Sequence, residues 1–161
     1  MKLNRVCVAL PILMSVLFAA NAPAAEPNRV FDTNCALCHQ KAGAGLKGQF
    51  PRLAGRAGEI AATEAGRRYL IEVTSFGMAG KVEVDGAPII GVMPGFAVLS
   101  DDDLASVLTY IIQLEGPSKS KGKGKRPQIS AADVKSVRAG PQLSPTQVHA
   151  NRESLLAGNT K

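Results

Sequence analysis

Apolar positions recur at helical spacing in three stretches of this chain. The clearest begins after Ser100, where Leu104, Val107, Leu108, Ile111 and Ile112 share one face. Ser100 is a good N-cap, and Asp101, Asp102 and Asp103 occupy a first turn whose dipole favours negative charge. Gly116-Pro117 supplies the stop. An earlier helix fits Glu59 to Ser75, with Ile60, Tyr69, Leu70 and Val73 as apolar contacts and Gly77 as C-cap. Pro27 suits the first turn of another helix, which runs into Cys35 with Val30 and Phe31 on its inner side. Between the last two helices, Lys81 to Ile90 alternates around Asp85-Gly86, which reads as a short hairpin or an extended loop. The fold class these patterns predict is all-α with long loops.

The two ends of the chain read differently. Lys2 and Arg5 precede an apolar run from Val6 to Ala20 that only Pro11 and Ser15 interrupt, and Ala22-Pro23-Ala24 offers a small-x-small cleavage site. That is the layout of a secretory signal peptide over residues 1–24. The competing reading, a membrane anchor, needs roughly 20 apolar residues and the run is shorter. Cys7 lies at the start of the run, not after it, so it is not placed as a lipoprotein cysteine and is expected to leave with the peptide. At the other end, residues 116–161 open with Gly-Pro-Ser-Lys-Ser-Lys-Gly-Lys-Gly-Lys-Arg-Pro, which cannot bury apolar surface and reads as a solvated linker. Beyond it, Ser130-Ala-Ala-Asp133 resembles a capping box ahead of Val134 and Val137, and Ser144-Pro145 opens a second short helix through Val148 and Leu155. Two outcomes stay open for this tail: its helices dock on the domain or a partner, or it remains mostly mobile. The compact domain is therefore expected over residues 25–115.

Charge sharpens this division. Residues 25–115 carry eight Lys/Arg against eleven Asp/Glu, whereas residues 116–161 carry nine against two. Such asymmetry marks a compact body with a basic extension. Lys119, Lys121, Lys123, Lys125 and Arg126 are candidates for docking an acidic partner or anionic lipid. No aromatic residue interleaves them, and export would separate the chain from nucleic acid, so a nucleic-acid role is not expected. A domain of this length with so much loop buries little surface alone. With no Trp and five Phe in the whole sequence, something apolar other than side chains is expected to fill its centre.

Cys35-Ala-Leu-Cys38-His39 supplies the candidate. C-x-x-C-H is the attachment motif of c-type haem. Two thiols one helical turn apart add across two vinyl groups of one porphyrin, and the adjacent histidine ligates the iron. A structural zinc site wants a second ligand pair, and a thioredoxin-like pair wants a βαβ context; neither is present. After removal of the leader, Met78, Met93 and His149 are the obvious donors for a second axial position. Met93 is favoured, because Gly91-Val-Met93-Pro94-Gly95-Phe96 is a rigid apolar loop in which Phe96 can pack on the porphyrin. Met78, in Gly77-Met-Ala-Gly80, reads as a loop or pocket contact, and His149 as an exposed helix residue.

At these residues the sequence resembles the class I, or cytochrome c-like, monohaem domain. The resemblance covers roughly residues 25–115 and rests on Cys35-x-x-Cys38-His39, Phe50-Pro51-x-Leu53-Ala54-Gly55 and Met93-Pro94-x-Phe96. It implies three to four helices around one covalent haem c, with His39 and Met93 as iron ligands. It further implies a Pro51 carbonyl that orients the histidine ring, and first and last helices that cross through Val30 and Phe31 against Leu104, Leu108 and Ile111. The implied role is one-electron transfer in the periplasm, serving a dehydrogenase or a terminal oxidase or reductase, as a free carrier or as a non-catalytic subunit. A gas-binding sensor in which Met93 swings away is the minor alternative. The extension departs from the family pattern.

Overall fold

In a computed structural model, residues 25–117 and 126–158 are described. The expected leader at 1–24 and the lysines at 119–125 lie outside them. Helix α1 (Pro27–Asn34) carries Pro27 in its first turn, buries Val30 and Phe31, and continues through Cys35 into the short α2 (Ala36–His39). A loop with one 3-10 turn at Lys41–Gly43 leads to α3 (Arg56–Ile60) and α4 (Glu64–Phe76). The long helix expected from Glu59 is thus two. Thr63 explains the break: its hydroxyl accepts a hydrogen bond from the Gly66 amide at 3.0 Å and starts a new helix there.

The largest departure from an all-α reading is a hairpin. Strands β1 (Met78–Val84) and β2 (Ala87–Met93) pair antiparallel, from Val84 opposite Ala87 at the turn to Met78 opposite Met93 at the open end. Asp85 and Gly86 both have positive φ, 53° and 69°, which is the two-residue turn whose twist suits a hairpin. Val82, Val84 and Ile89 face inward and form a small cluster against Met78.

Helix α5 (Asp101–Gln113) starts as expected, with the Ser100 hydroxyl accepting from the Asp103 amide at 3.0 Å. It ends three residues before Gly116. Arg126 meets that end, its Nη1 donating to the carbonyls of Ile112, Gln113 and Leu114 at 3.2, 2.7 and 3.0 Å. A cation on the last carbonyls of a helix satisfies orphan acceptors and the dipole together. The returning chain is then fixed by Thr109, whose hydroxyl accepts from the Ile129 amide at 3.0 Å and donates to its carbonyl at 3.2 Å.

Helices α6 (Ala131–Arg138) and α7 (Pro145–Gly158) are docked on the body. Ile129, Val134, Val137 and Val148 are buried in the same cluster as Phe31, Leu104, Leu108 and Ile112. Glu72 on α4 is 3% exposed, and its carboxylate is matched by Arg68 at 2.9 Å and by Asn151 of α7 at 2.9 Å. A buried carboxylate needs such partners, so this contact fixes where α7 lies. Helix α1 packs on α5 through Phe31, whose ring centre is 5.6 Å from that of Tyr110.

Candidate functional site

The Cys35–His39 segment is held as a single helical turn. The Cys35 amide donates to Phe31 O at 2.8 Å, and the Cys35 carbonyl accepts from Cys38 and His39 at 3.2 and 2.9 Å. Both thiols are free and half-buried. Burial pushes the Cys35 thiol up to about 11, and the neighbouring Cys38 adds to the shift.

His39 is 8% exposed, and its Nδ1 lies 2.8 Å from the Pro51 carbonyl oxygen. A carbonyl only accepts, so Nδ1 carries the hydrogen and Nε2 is left with a free lone pair. Burial lowers the imidazole pKa, with the Pro51 bond opposing, so the ring is neutral at pH 7. The twelve-residue excursion that returns Pro51 to the ring is tight. Gly45, at φ 69°, has the backbone of Arg52 so close that a Cβ would sit 2.5 Å from its amide nitrogen. The Leu53 and Ala54 amides also close on Gly43 O at 2.8 and 3.0 Å.

Cys35, His39 and Pro51 border a partly open cavity of about 760 Å³, the solvent space at its mouth included. Leu53 and Ala57 line it, with Tyr69, Leu70 and Val73 from α4, Val82 and Val84 from the hairpin, and Leu108 and Ile111 from α5. The paucity of aromatic residues foreshadows this apolar chamber. Met78 and Met93 both line it, being directly opposite each other in the β1–β2 register. They differ in partners: the Tyr69 hydroxyl lies 3.6 Å from the Met78 sulfur. His149 does not reach the cavity. It is half-buried rather than exposed, with its ring over Gly80 and Nε2 2.7 Å from the Lys81 carbonyl. Phe96 is also absent from the wall; its amide donates to Thr74 O at 2.8 Å, turning the loop back onto α4.

Three arginines at the same cavity escape a reading by sequence. Arg52 pairs with Asp85 at 2.8 Å and donates to the Ala54 carbonyl. Arg152 is 6% exposed, pairs with Glu153 at 2.6 Å, and comes from α7. Arg56 makes no ion pair among the described residues, and burial, then the Arg152 cation, lowers its pKa. Their only sequence trace is the helical spacing of Val148 and Arg152, both buried on α7. An apolar chamber with the Cys35 thiol, a neutral imidazole, two thioethers and cationic side chains on its wall, and with Cys38 one helical turn beyond Cys35, fits a porphyrin, whose body is apolar and whose two side chains are carboxylates.

Fold and site together define a c-type cytochrome. Residues 22–111 match the family described as cytochrome c oxidase, cbb3-type, subunit III, and the chain belongs to the class I c-type cytochromes. It is similar to cytochrome c-552 of Thermus thermophilus, 47% identical over 121 residues that cover 75% of this chain and 90% of that one. It is equally similar to the cytochrome c-552 of a second Thermus thermophilus strain, 47% over 121 residues and 80% of that protein. It also resembles the cytochrome c subunit of a quinone alcohol dehydrogenase from Gluconobacter oxydans, 32% over 110 residues, which are only 21% of that protein. The protein is an electron carrier with covalently bound haem c and not an enzyme. No helix among the described residues is long and apolar enough to cross a membrane.

Proposed function

We propose that this chain is a periplasmic one-electron carrier whose haem is joined to Cys35 and Cys38 and ligated by His39 and Met93. The observation that carries this reading is the buried neutral imidazole, tied at Nδ1 to Pro51 and sharing one apolar cavity with Met93. The haem supplies the one-electron couple. The chain's residues do the rest. The Pro51 carbonyl fixes the tautomer and aim of His39, so Nε2 is the donor. The Met93 thioether is a soft ligand that favours the reduced state and raises the potential. With His39 and Met93 both holding it, the iron would change oxidation state with little rearrangement and would leave no place for a substrate. The walls from α4, α5 and the hairpin exclude water. The basic extension faces acidic redox partners, and electrons pass between a dehydrogenase and a terminal oxidase or reductase.

Coverage favours a free carrier over a subunit of a larger complex. The match spans 90% of a small cytochrome but 21% of the dehydrogenase subunit. The subunit reading keeps support from the oxidase-subunit family description.

Met93→Ala and Met78→Ala in the haem-loaded protein test the ligand set. Met93→Ala is expected to abolish the sulfur-to-iron absorption band, lower the potential and admit carbon monoxide to the reduced protein. Met78→Ala is expected to keep the band. The opposite pattern overturns the assignment, and ready carbon monoxide binding by the unsubstituted protein favours the sensor.

A further inference from the structure

Arg138 closes α6, beyond the segment that matches the family model, yet its guanidinium reaches the loop that follows Met93. Nη2 donates to the Phe96 carbonyl at 3.1 Å and Nη1 to the Leu99 carbonyl at 2.8 Å. Nη1 also meets Asp101 Oδ1 at 2.9 Å, and Nε lies 3.3 Å from the Ser75 hydroxyl. One planar fork thus joins the C-terminal end of α4, the N-terminal turn of α5 and two carbonyls of the connecting loop. Only a guanidinium presents enough fixed donors for that set.

Apart from Arg138, the loop's outer half is held by the Leu99 side chain, which packs against the main core, and by one backbone turn. Its inner half is pinned by the Phe96 amide on Thr74 O and by Gly95, which packs so closely that a Cβ would lie 2.7 Å from Ser75 O. Past Phe96, Val98 is 92% exposed, and among the described residues the one backbone bond that closes the bend runs from the Leu99 amide to Phe96 O. Among the described residues no other side chain bonds the Phe96 or Leu99 carbonyl.

We propose that Arg138 is a positioning residue for the Met93 ligand: the extension clamps the methionine loop and so keeps the thioether seated on the iron. The inference rests on Met93 being that ligand. Without the clamp, the two carbonyls turn to water, the loop opens more often, and the fraction of molecules with a vacant axial position rises. An external ligand binds in proportion to that fraction.

The test uses the full-length, haem-loaded protein and four variants: Arg138→Ala, Arg138→Lys, Asp101→Asn and Met93→Ala. Carbon monoxide binding to the reduced protein, the sulfur-to-iron band of the oxidised protein and the thermal midpoint are measured in each. Arg138→Ala is expected to speed carbon monoxide binding about 10-fold or more, the usual scale for losing an outer support of a ligand, and to weaken the band. Arg138→Lys keeps the charge beside Asp101 but cannot fork across both carbonyls, so it falls between. Asp101→Asn leaves the carbonyl bonds in place and stays close to the unsubstituted protein. If Arg138→Ala lowers only the thermal midpoint, Arg138 merely pins α6 and the proposal fails. If that variant does not fold, an unchanged rate in Arg138→Lys overturns the proposal equally. An Asp101→Asn rate as fast as Arg138→Ala overturns the carbonyl clamp. Persistence of the band in Met93→Ala overturns the ligand premise separately, whatever the Arg138 variants do.

Discussion

Phe31 has no exposed surface, and its ring lies tilted at 55° to Tyr110 where α1 meets α5. Truncating so buried an aromatic forfeits its transfer energy and leaves a void that helices cannot close. Phe31→Ala is expected to cost about 3–5 kcal/mol, read as a lower denaturant midpoint with an unchanged slope; a loss under ~1 kcal/mol would mean the helices collapse into the space. Residues of this kind were legible. Val30 and Phe31 stand at the inner positions of a short helix, and the proposed haem-holding residues Cys35, Cys38 and His39 fall within five consecutive residues. Arg138 and Arg152 were not legible. A guanidinium that bonds carbonyls in a distant loop leaves no periodic mark in the sequence, and the helical spacing of Arg152 from Val148 marks a buried face without saying which cavity, 117 positions after Cys35, that face meets.

Among the elements, the caps were read correctly and the hairpin's length was not. Asp85-Gly86 announced the turn, but alternation fails at Met78-Ala-Gly80 and at Gly91, where glycine and alanine occupy strand positions. Pairing continues there because α7 covers β1, with His149 against Gly80. Tertiary context therefore extended a strand that local pattern ended. In the extension, Ser130 and Asp133 form a reciprocal box: the Asp133 amide donates to Ser130 Oγ at 3.2 Å, and the Ser130 amide to Asp133 Oδ2 at 2.8 Å. Asp133 is accordingly held below the usual carboxylate range by those Ser130 bonds. Ser130→Ala is expected to cost about 1 kcal/mol. Because α6 carries Arg138, hydrogen exchange should quicken in α6 before it does in α5; uniform quickening would show that α6 is no separate opening unit.

For the whole molecule, the two charge domains of the sequence do not coincide with two packed bodies. The extension buries Ile129, Val134, Val137 and Val148 in the main cluster. At roughly 1.5–3 kcal/mol for each fully buried side chain, removing residues 126–158 takes away as much as the net stability of a typical domain, about 5–15 kcal/mol. A truncated chain therefore reports on folding and not on docking. The question of partner attraction belongs to the four lysines at 119, 121, 123 and 125, which fall outside the sequence ranges of the described helices. Lys→Gln at all four removes four positive charges from the basic half. If that half steers an acidic redox partner, electron transfer at low ionic strength should slow by about 10-fold or more, and the difference should vanish near 0.5 M salt, where the screening length falls to about 4–5 Å. The thermal midpoint should not move. Stopped-flow reduction across a salt series decides it: parallel curves for the two proteins would locate the steering field on the body instead, where acidic residues outnumber basic ones.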